Sequence, residues 1–542
     1  MTTASFSTCQ LNDLLKGKIE PIIGEAKRLG LPEKHGERLR AYAESCLRVE
    51  ISESCRKIAS CQGCLTSDPE IDDLHEEIKR LKKENEQLSE ENAKLKARTR
   101  KNSRNSSLPP SSDPPSAPKR VKKKPSKRKP GGQPGHNKKS RTLVPTEQVD
   151  TVVPIYPENC EGCGKDLTEN EKRKDPELAP EHRHQQWEIP PIKPIVTEFQ
   201  CHLAECNHCK AVSRATFPES VTRSTFGPNL MALVVLLTGA YHMSKRCVAS
   251  LLLSAFGVAV ALGSISNIEH RVSKALRGPV GVLRRMVQLA KVVYADETTW
   301  KERAQRVYIW AAVASFGAVY IVRKSRAASI AIELLGIKEK VVVTDRYKGY
   351  LWIPVEWRQI CWAHLKRDFE WIMGFPGEAG RIGKDLLTNE KQLFSLWHLV
   401  KEGSLDRSSF RTLISPIRVR IRNLLRKGVA LKLAGVSGMC EDMLRIYPAF
   451  YTFVRVEGVE PTNNMVEARQ RLPAIWRRVS FGTWSRRGSE YVGNILSVVT
   501  TLRLQGREIL PYLQEVCRAV LEGRDAPSLL PQAGKKSGRN AA

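Results

Sequence analysis

A long basic stretch limits what the rest of this chain can fold into. Residues 96–141 carry 16 lysines and arginines and a single acid, Asp113, among proline, glycine, serine and asparagine. With almost no apolar side chains, such a stretch cannot bury enough surface to offset the entropy lost on ordering. It holds half of the chain's net charge of +30. We therefore expect a disordered basic linker over 98–145, with folded parts on either side of it.

The excess of positive charge predicts a polyanionic partner, most simply nucleic acid. Lysines and arginines of the linker can neutralise phosphates without reading base sequence. The alternative is a merely soluble spacer, but the near absence of acids favours contact with double-stranded DNA. The residues expected to bind DNA are Lys119, Arg120, Lys122, Lys123, Lys124, Lys127, Arg128 and Lys129.

Two other classes of protein are excluded. The most apolar run, residues 230–237, is soon interrupted by His242 and Lys245, whereas a membrane helix needs about 18 apolar residues in a row. The first residues lack the charged and apolar regions of a secretory signal, so we expect a cytoplasmic, nucleoid-associated protein. Its 14 cysteines are then reduced thiols or metal ligands rather than disulfides.

Residues 71–97 have the heptad pattern of a coiled coil. Leucines recur every seven residues at one core position, and isoleucine or asparagine lies three residues before each. The core set is Leu74, Leu81, Leu88 and Leu95 with Ile71, Ile78, Asn85 and Asn92. Asparagine in such a seam favours two parallel strands. We expect a parallel coil that makes a homodimer or higher oligomer; the alternative is a single charged helix. Residues 1–70 are expected to form an N-terminal helical region.

Residues 146–222 contain two Cys-x-x-Cys pairs, Cys160 with Cys163 and Cys206 with Cys209. Two such knuckles are the frame of a tetrahedral structural zinc site, so we expect a zinc-ribbon-like module. The 42 residues between the pairs exceed the usual spacing of about 15–20. Strand-like pieces at 184–191 and 194–203 could bring the knuckles together. Reduced, metal-free cysteines are the alternative.

Residues 223–285 read as short helices over 229–241, 244–255 and 264–276. Helix, short turn and helix suit a helix-turn-helix unit that offers its last helix to a DNA groove. A plain helical bundle fits the same pattern. We expect a helical DNA-binding domain here.

Residues 286–505 alternate strand and helix patterns. Apolar β-rich runs lie at 291–300, 306–316, 318–325 and 340–347, and a strand leads into a helix over 357–369. This is a mixed α/β pattern of the size of a ribonuclease-H domain. Residues 377–450 are rich in helix formers, and residues 506–542 are expected to form a C-terminal helix and tail.

Three acids stand out in this region. Asp296 and Asp345 follow apolar strands, and Glu467 lies near a helix start. Mg²⁺ prefers oxygen ligands, and two such ions about 4 Å apart can activate an attacking oxygen and stabilise a leaving one. Three neighbouring acids without a cation would raise one another's pKa. By spacing alone, three unrelated surface acids remain the alternative.

Several motifs occur together in one order. They are NSSLPPSSD at 105–113, GGQPGH at 131–136, the two Cys-x-x-Cys pairs, DET at 296–298, VVVTDRYKGY at 341–350, CWAHLKRDF at 361–369 and NNMVE at 463–467. In these motifs, over residues 71 to about 505, the chain resembles a bacterial DDE transposase of the insertion sequence 66 family.

The resemblance implies a multidomain α/β protein with a ribonuclease-H-like core, interrupted by an all-α insertion at about 377–450. It implies that Asp296, Asp345 and Glu467 bind two Mg²⁺ or Mn²⁺ ions and catalyse DNA strand cleavage and transfer. The motifs add supporting residues: Cys361, His364, Asn463, Asn464 and Arg469. Cys361 and His364 are assigned a structural or site-supporting role rather than zinc binding; the alternative for His364 is a packing histidine. Elements of this family often encode accessory proteins, which are possible partners.

Two positions depart from the family pattern. Arg346 stands where a glycine usually follows the second aspartate, and Ala468 separates Glu467 from Arg469. The three acids are retained, which favours an active transposase. The alternatives are an inactive DNA-binding remnant or repressor of the same family and a ribonuclease-H-type DNA nuclease.

Overall fold

The computed structural model describes residues 79–85, 141–169, 182–222 and 224–531. The chain divides into two units, Met1–Asn92 and Ala93–Ala542. In the first unit, residues 79–85 form a helix with exposed side chains. A helix here fits both the predicted coil and the single charged helix. All the other described residues belong to the second unit.

Several predictions fall outside the described residues. These are the N-terminal region 1–70, the rest of the coil over 71–97, most of the linker over 98–145 with its eight DNA-binding residues, and the end of the tail beyond residue 531. Pairing of two chains through the coil and DNA contact by the linker stay predictions.

Between the predicted linker and the first helices, the described residues 146–169 and 182–218 have little regular structure. A hairpin joins β1, Leu203–Glu205, to β2, Val212–Arg214, with Leu203 opposite Arg214. The strands predicted over 184–191 and 194–203 are wrong except for Leu203, because these residues adopt no regular strand. Their prolines lack the N–H group that a strand ladder needs.

Four helices follow. They are α1, Glu219–Thr222; α2, Pro228–Val235, extended by a π-helical turn over Leu236–Ala240; α3, Lys245–Phe256; and α4, Leu262–Leu289. Helix α3 begins at Ser244, whose hydroxyl accepts from the backbone N–H of Cys247, and it ends at Gly257 in the left-handed conformation. Such caps satisfy backbone groups that the helix itself leaves unpaired.

Helix α4, which corresponds to the predicted helix over 264–276, runs well past residue 276 and ends at Leu289. A buried apolar stripe continues in phase through Pro279, and its members are Ile265, Ile268, Val272, Leu276, Val280, Leu283 and Val287. Burial of this stripe outweighs the backbone hydrogen bond that a proline removes. The predicted boundary at 285/286 therefore falls inside a helix, and α4 packs on the sheet rather than forming part of a separate domain.

A five-stranded mixed sheet forms the centre of this unit. Its strands are β3, Val292–Glu302; β4, Gln305–Ala314; β5, Gly317–Arg323; β6, Val341–Thr344; and β7, Arg358–Ile360. They lie in the order β5-β4-β3-β6-β7. Strands β3, β4 and β5 are antiparallel neighbours, whereas β6 and β7 run parallel to β3. Each strand overlaps a run predicted from the sequence.

Helix α5, Ala328–Leu335, leads into β6, and α6, Trp362–Met373, follows β7. Then comes the predicted helical insertion. It consists of α7, Gly377–Lys401; α8, Arg407–Ala430; α9, Val436–Arg445; a 3₁₀ turn, Tyr447–Tyr451; and α10, Thr452–Arg455. Aromatic side chains hold it together, with Trp397 packed against Phe410 and Phe453.

The last helices are α11, Asn464–Ser480; α12, Arg486–Leu504; and α13, Ile509–Glu522. Helix α12 covers β5, an edge strand. The Ser497 hydroxyl accepts from the Tyr320 N–H at 2.8 Å, and the Thr501 hydroxyl accepts from the Ala318 N–H at 3.0 Å. At the opposite edge, the Thr452 hydroxyl donates to the Arg358 carbonyl at 2.6 Å.

Two glycines of the helical insertion provide a matched test of its packing. A Cβ at Gly383 would overlap the backbone of Met373, whereas a Cβ at Gly438 would meet nothing within 4 Å. Overpacking costs about 1–3 kcal/mol, and replacing a helical glycine by alanine gains up to about 1 kcal/mol. We therefore expect Gly383→Ala to lower the free energy of unfolding in a urea titration and Gly438→Ala to raise it slightly. Equal effects of the two substitutions would contradict this packing.

Candidate active site

The parallel pairing of β3 with β6 sets the position of two acids. Tyr294 lies opposite Val343, and Asp296 and Asp345 each come two residues later. The two aspartates are therefore level with one another on neighbouring strands, which lie about 4.8 Å apart. Asp345 follows the last residue of β6, as predicted. Asp296 does not end its strand, because β3 continues to Glu302 through its pairing with β4.

The third acid comes from the first turn of α11. The start of this helix is tied to β3 by two amide side chains. Asn463 donates to the Ala295 carbonyl at 2.9 Å, and Gln470 donates to the Asp296 carbonyl at 3.1 Å. These bonds flank Asp296 and bring Glu467 to the same place, about 120 residues after Asp345. The structure thus brings the three predicted acids within electrostatic reach of one another, although their carboxylate oxygens do not all lie within 4.8 Å of one another.

Crowding of the acids is visible in their electrostatics. Loss of hydration raises the pKa of Asp296 well above its ordinary value, and the charges of Glu297, Asp345 and Glu467 raise it further. The side-chain oxygens of Asn463 and Gln470 are also buried and lack a hydrogen-bond partner among the described residues. An all-oxygen group with excess negative charge suits divalent cations such as Mg²⁺. These residues therefore fit the metals that the resemblance implies.

A fourth acid, Glu297, lies on the other face of β3, because successive side chains of a strand alternate. Its carboxylate accepts from the Tyr350 hydroxyl at 2.7 Å and pairs with Arg326. The Arg326 guanidinium lies 3.9 Å from the centre of the Tyr347 ring. Burial and the charge of Asp345 raise the pKa of Glu297 to about 7, although Arg326 and Tyr350 oppose the rise. Sequence reasoning missed this network.

Cys361 and His364 lie beside the third acid. The Cys361 sulfur is 3.6 Å from Glu467 Oε1, and His364 Nδ1 is 3.5 Å from the same oxygen. Among the described residues, Cys361, His364 and Glu467 form a possible metal-binding group, because one ligand atom from each lies within 4.8 Å of the other two. Burial raises the pKa of Cys361 to about 12, which favours the neutral thiol over the thiolate that binds zinc. Their position suits the predicted site-supporting role.

Arg346, one of the two departures from the family pattern, and two of the predicted supporting residues can be located in the structure. Arg346 pairs with Asp368 at 2.8 Å, so the cation beside Asp345 is balanced by an acid of α6. The backbone carbonyl of Arg469 accepts from the Tyr320 hydroxyl at 3.3 Å. Asn464, another predicted supporting residue, is the first residue of α11.

Both cysteine knuckles form as local turns. The N–H groups of Gly164 and Lys210 each donate to the carbonyl of the first cysteine of their pair at 2.8 Å. Backbone N–H groups of Cys209 and His208 lower the pKa of Cys206, which favours the metal-binding thiolate. However, the described residues do not bring three of the atoms of Cys160, Cys163, Cys206 and Cys209 within 4.8 Å of one another. The four-cysteine zinc site stays a prediction.

Fold and site together define a class of protein. It is a mixed α/β protein whose central sheet carries two acids on adjacent parallel strands and receives a third from a helix that follows an all-α insertion. Residues 223–491 match the model of the Transposase IS66 family. This part of the chain belongs to that family, and the match supports a transposase role.

Two further comparisons bear on the chain. Residues 64–142, which include the predicted coil and most of the linker, match the model of a family of unknown function, DUF6444. The chain is also 23% identical over 352 residues to uncharacterized protein y4hP of Sinorhizobium fredii (strain NBRC 101917 / NGR234). That alignment covers 58% of this chain and 64% of the relative.

None of the helices in the described ranges is long and apolar enough to cross a membrane. The apolar run at 230–237 instead lies in α2 and the turn that follows it, where Met231, Ala232, Val234 and Val235 are fully buried. This agrees with the helix predicted over 229–241.

The crowded acids predict a pH-dependent stability of the metal-free protein. A carboxyl whose pKa is raised by folding binds protons in the folded state that the unfolded chain releases, so stability falls as pH rises through this window. For Glu297 the window runs from about pH 4.5 to about pH 7. Asp296→Asn removes one of the mutually repelling charges. In chelator, we expect it to raise the melting temperature by a few degrees at pH 8 and much less at pH 5.

Added Mg²⁺ or Mn²⁺ serves as the control for this prediction. It should raise the melting temperature of the unsubstituted protein at pH 8 and have little effect on the Asp296→Asn variant. A substitution that destabilises the metal-free protein at pH 8 would argue against the crowding of these acids.

Proposed function

We propose that this protein is a DDE-type DNA transposase. It binds the ends of its insertion element and catalyses metal-dependent strand cleavage and strand transfer into target DNA. The observation that carries the proposal is the meeting of Asp296, Asp345 and Glu467 at the end of β6, within the segment that matches the transposase family.

The core is ribonuclease-H-like in this proposal. Support comes from the sheet, in which three antiparallel strands are followed by two that run parallel to the first, in the order β5-β4-β3-β6-β7. Helices lie between β5 and β6 and after β7, and the insertion of α7 to α10 precedes the helix with the third acid. In this proposal both aspartates and Glu467 act together beside the C-terminal end of β6.

Asp296, Asp345 and Glu467 would hold two Mg²⁺ or Mn²⁺ ions. When bound, such ions activate the attacking oxygen, stabilise the leaving oxygen and offset the negative charge of the site. The protein's own contribution is positional. Asn463 and Gln470 fix the helix that carries Glu467. On the opposite face of β3, the Arg326–Glu297–Tyr350 network holds the strand that carries Asp296.

The reaction has two displacements at phosphorus. Water attacks the phosphodiester at the element end, which leaves a 5′-phosphate on the flanking strand and a free 3′-OH on the element. That 3′-OH then attacks a phosphodiester of the target, forms a new bond to its phosphorus and releases a 3′-OH of the target strand. Both need a DNA phosphate beside three carboxylates, so the acids must be neutralised before it can approach. The Cys361 thiol, 3.6 Å from Glu467 Oε1, orients that carboxylate. His364 Nδ1 lies 3.5 Å from the same oxygen without a hydrogen bond.

The remaining parts have supporting roles in this proposal. The linker holds double-stranded DNA without reading it, and the coil pairs two copies of the chain. The knuckles bind one structural zinc. Accessory proteins of the same element are candidate partners, and the protein is expected to act on the bacterial nucleoid.

Strand transfer in vitro tests the catalytic assignment. The assay contains Mg²⁺ or Mn²⁺, a labelled element end and a supercoiled target. A metal site stabilises the transition state by several kcal/mol, and about 1.4 kcal/mol is tenfold in rate. We therefore expect Asp296→Asn, Asp345→Asn and Glu467→Gln each to reduce joining by at least about a hundredfold.

DNA binding by the same variants is the control, and it should be retained. Joining that survives all three substitutions would refute the assignment. Cutting without joining would favour a nuclease. Binding without either reaction in the unsubstituted protein would favour an inactive remnant or repressor.

Metal analysis tests the zinc module separately. We expect one zinc per chain by native mass spectrometry, lost in Cys206→Ser because a structural site needs all four ligands. The matched control is Cys201→Ser, which removes an exposed cysteine outside the two pairs. A fully folded 141–222 region in a zinc-free preparation would count against the module, since such sites fold with their ion.

A further inference from the structure

Helix α8 of the insertion is the most uniformly basic element of the described residues. Its 24 residues contain no acid. Its basic residues are Arg407, Arg411, Arg418, Arg420, Arg422, Arg426 and Lys427. Some exposed cations elsewhere pair with acids, as Arg445 does with Asp442 and Arg518 with Glu515. None of the cations of α8 pairs with an acid of the described residues.

Four of these arginines lie on one side of the helix. Arg411, Arg418, Arg422 and Arg426 are separated by seven, four and four residues, that is, by about two turns, one turn and one turn. All four are exposed. With a rise of about 1.5 Å per residue, they extend over about 22 Å. We call these four residues the arginine stripe.

Three arginines of the stripe contact the 3₁₀ turn Tyr447–Tyr451 or α10, which lie beside them. The Arg418 guanidinium lies 4.8 Å from the centre of the Tyr451 ring, and that of Arg422 lies 6.0 Å from the centre of the Tyr447 ring. Arg411 donates to the carbonyl of Val454 at 3.3 Å. A guanidinium stacked on a ring keeps its in-plane N–H donors for a phosphate. Because it is already positioned, it loses less entropy on binding.

The same turn connects the stripe to the candidate active site. The carbonyl of Phe450 accepts from the indole N–H of Trp362 at 2.7 Å and from the side chain of Gln359 at 3.2 Å. Gln359 and Trp362 flank Ile360 and Cys361, and Cys361 contacts Glu467. A ligand on the stripe is therefore bound to a surface that is rigidly joined to the three acids.

We propose that the arginine stripe binds the phosphate backbone of duplex DNA without reading its sequence, and so holds target DNA for the catalytic site. The inference rests on the proposed function. A row of cations with no acid among them matches a regular row of phosphates. An arginine can also read a guanine edge, but half or more of all protein–DNA hydrogen bonds go to phosphate and sugar. Ser415 fills the remaining place in the row. Sequence-neutral binding suits a target that changes from one insertion to the next.

The test measures the salt dependence of DNA binding by the full chain. The variant carries Arg411→Gln, Arg418→Gln, Arg422→Gln and Arg426→Gln, and the ligand is a duplex unrelated to the element ends. Each phosphate contact contributes about 0.9 to the slope of log K against log salt. We expect the slope to fall by about 3–4, and joining to a supercoiled target to fall by roughly tenfold or more.

The matched control removes the same charge elsewhere. It carries Lys401→Gln, Arg445→Gln, Arg518→Gln and Arg524→Gln, four exposed cations that pair with acids. Its slope should stay within about one unit of the unsubstituted protein, since these cations contact no phosphate. A variant with lysine at the four stripe positions keeps the charge and should recover most of the slope. Melting curves of all variants check that each is folded.

Equal loss of slope in the stripe variant and the control would overturn the proposal, because net charge alone would then explain it. An unchanged slope in a folded stripe variant would also overturn the proposal. So would a stripe variant that loses binding to duplex RNA and keeps its binding to duplex DNA. The Asp296→Asn variant separates this inference from the proposed function. It should lose joining and keep the full slope, whereas the stripe variant loses slope whether or not the protein joins strands.

Discussion

The parallel pairing of β3 with β6 is the interaction on which the candidate active site depends. It makes Asp296 and Asp345 level on adjacent strands, although 48 residues separate them in the chain. The other elements then complete or support this pair. Asn463 and Gln470 fasten α11 to the backbone on either side of Asp296. If the two strands paired in another register, Asp296 and Asp345 would not be level. Glu467 and the proposed metals would then have no defined position beside them.

Much of this region could be predicted from the sequence because its signals are local. Runs of valine, isoleucine and aromatic residues predict buried strands, and all five strands of the sheet lie where such runs occur. The errors come from interactions between distant residues. Asp296 lies inside its strand because β4 extends the pairing of β3 to Glu302. Helix α4 continues through Pro279 because an apolar stripe packs on the sheet.

The acids of the site were predicted through resemblance, whereas their surroundings were not. Spacing alone could not distinguish Asp296, Asp345 and Glu467 from unrelated surface acids. The Glu297–Arg326–Tyr350 network joins residues from three separate segments, and no local sequence pattern predicts it. The alternation of side chains along β3 predicts that Glu297 lies on the face opposite Asp296. Its partners, Arg326 and Tyr350, come from later segments whose positions depend on the tertiary fold. The same holds for the contacts of His364 and Cys361 with Glu467.

The hydroxyl groups at the two edges of the sheet have a consequence for assembly. Ser497 and Thr501 occupy N–H groups of β5, and Thr452 occupies a carbonyl of β7. An edge strand with free backbone groups is a template on which another chain can add a strand. Here helices from the same chain already use those groups. Two copies of this core therefore cannot merge their sheets at these positions, and each copy keeps Asp296 and Asp345 on a sheet of its own.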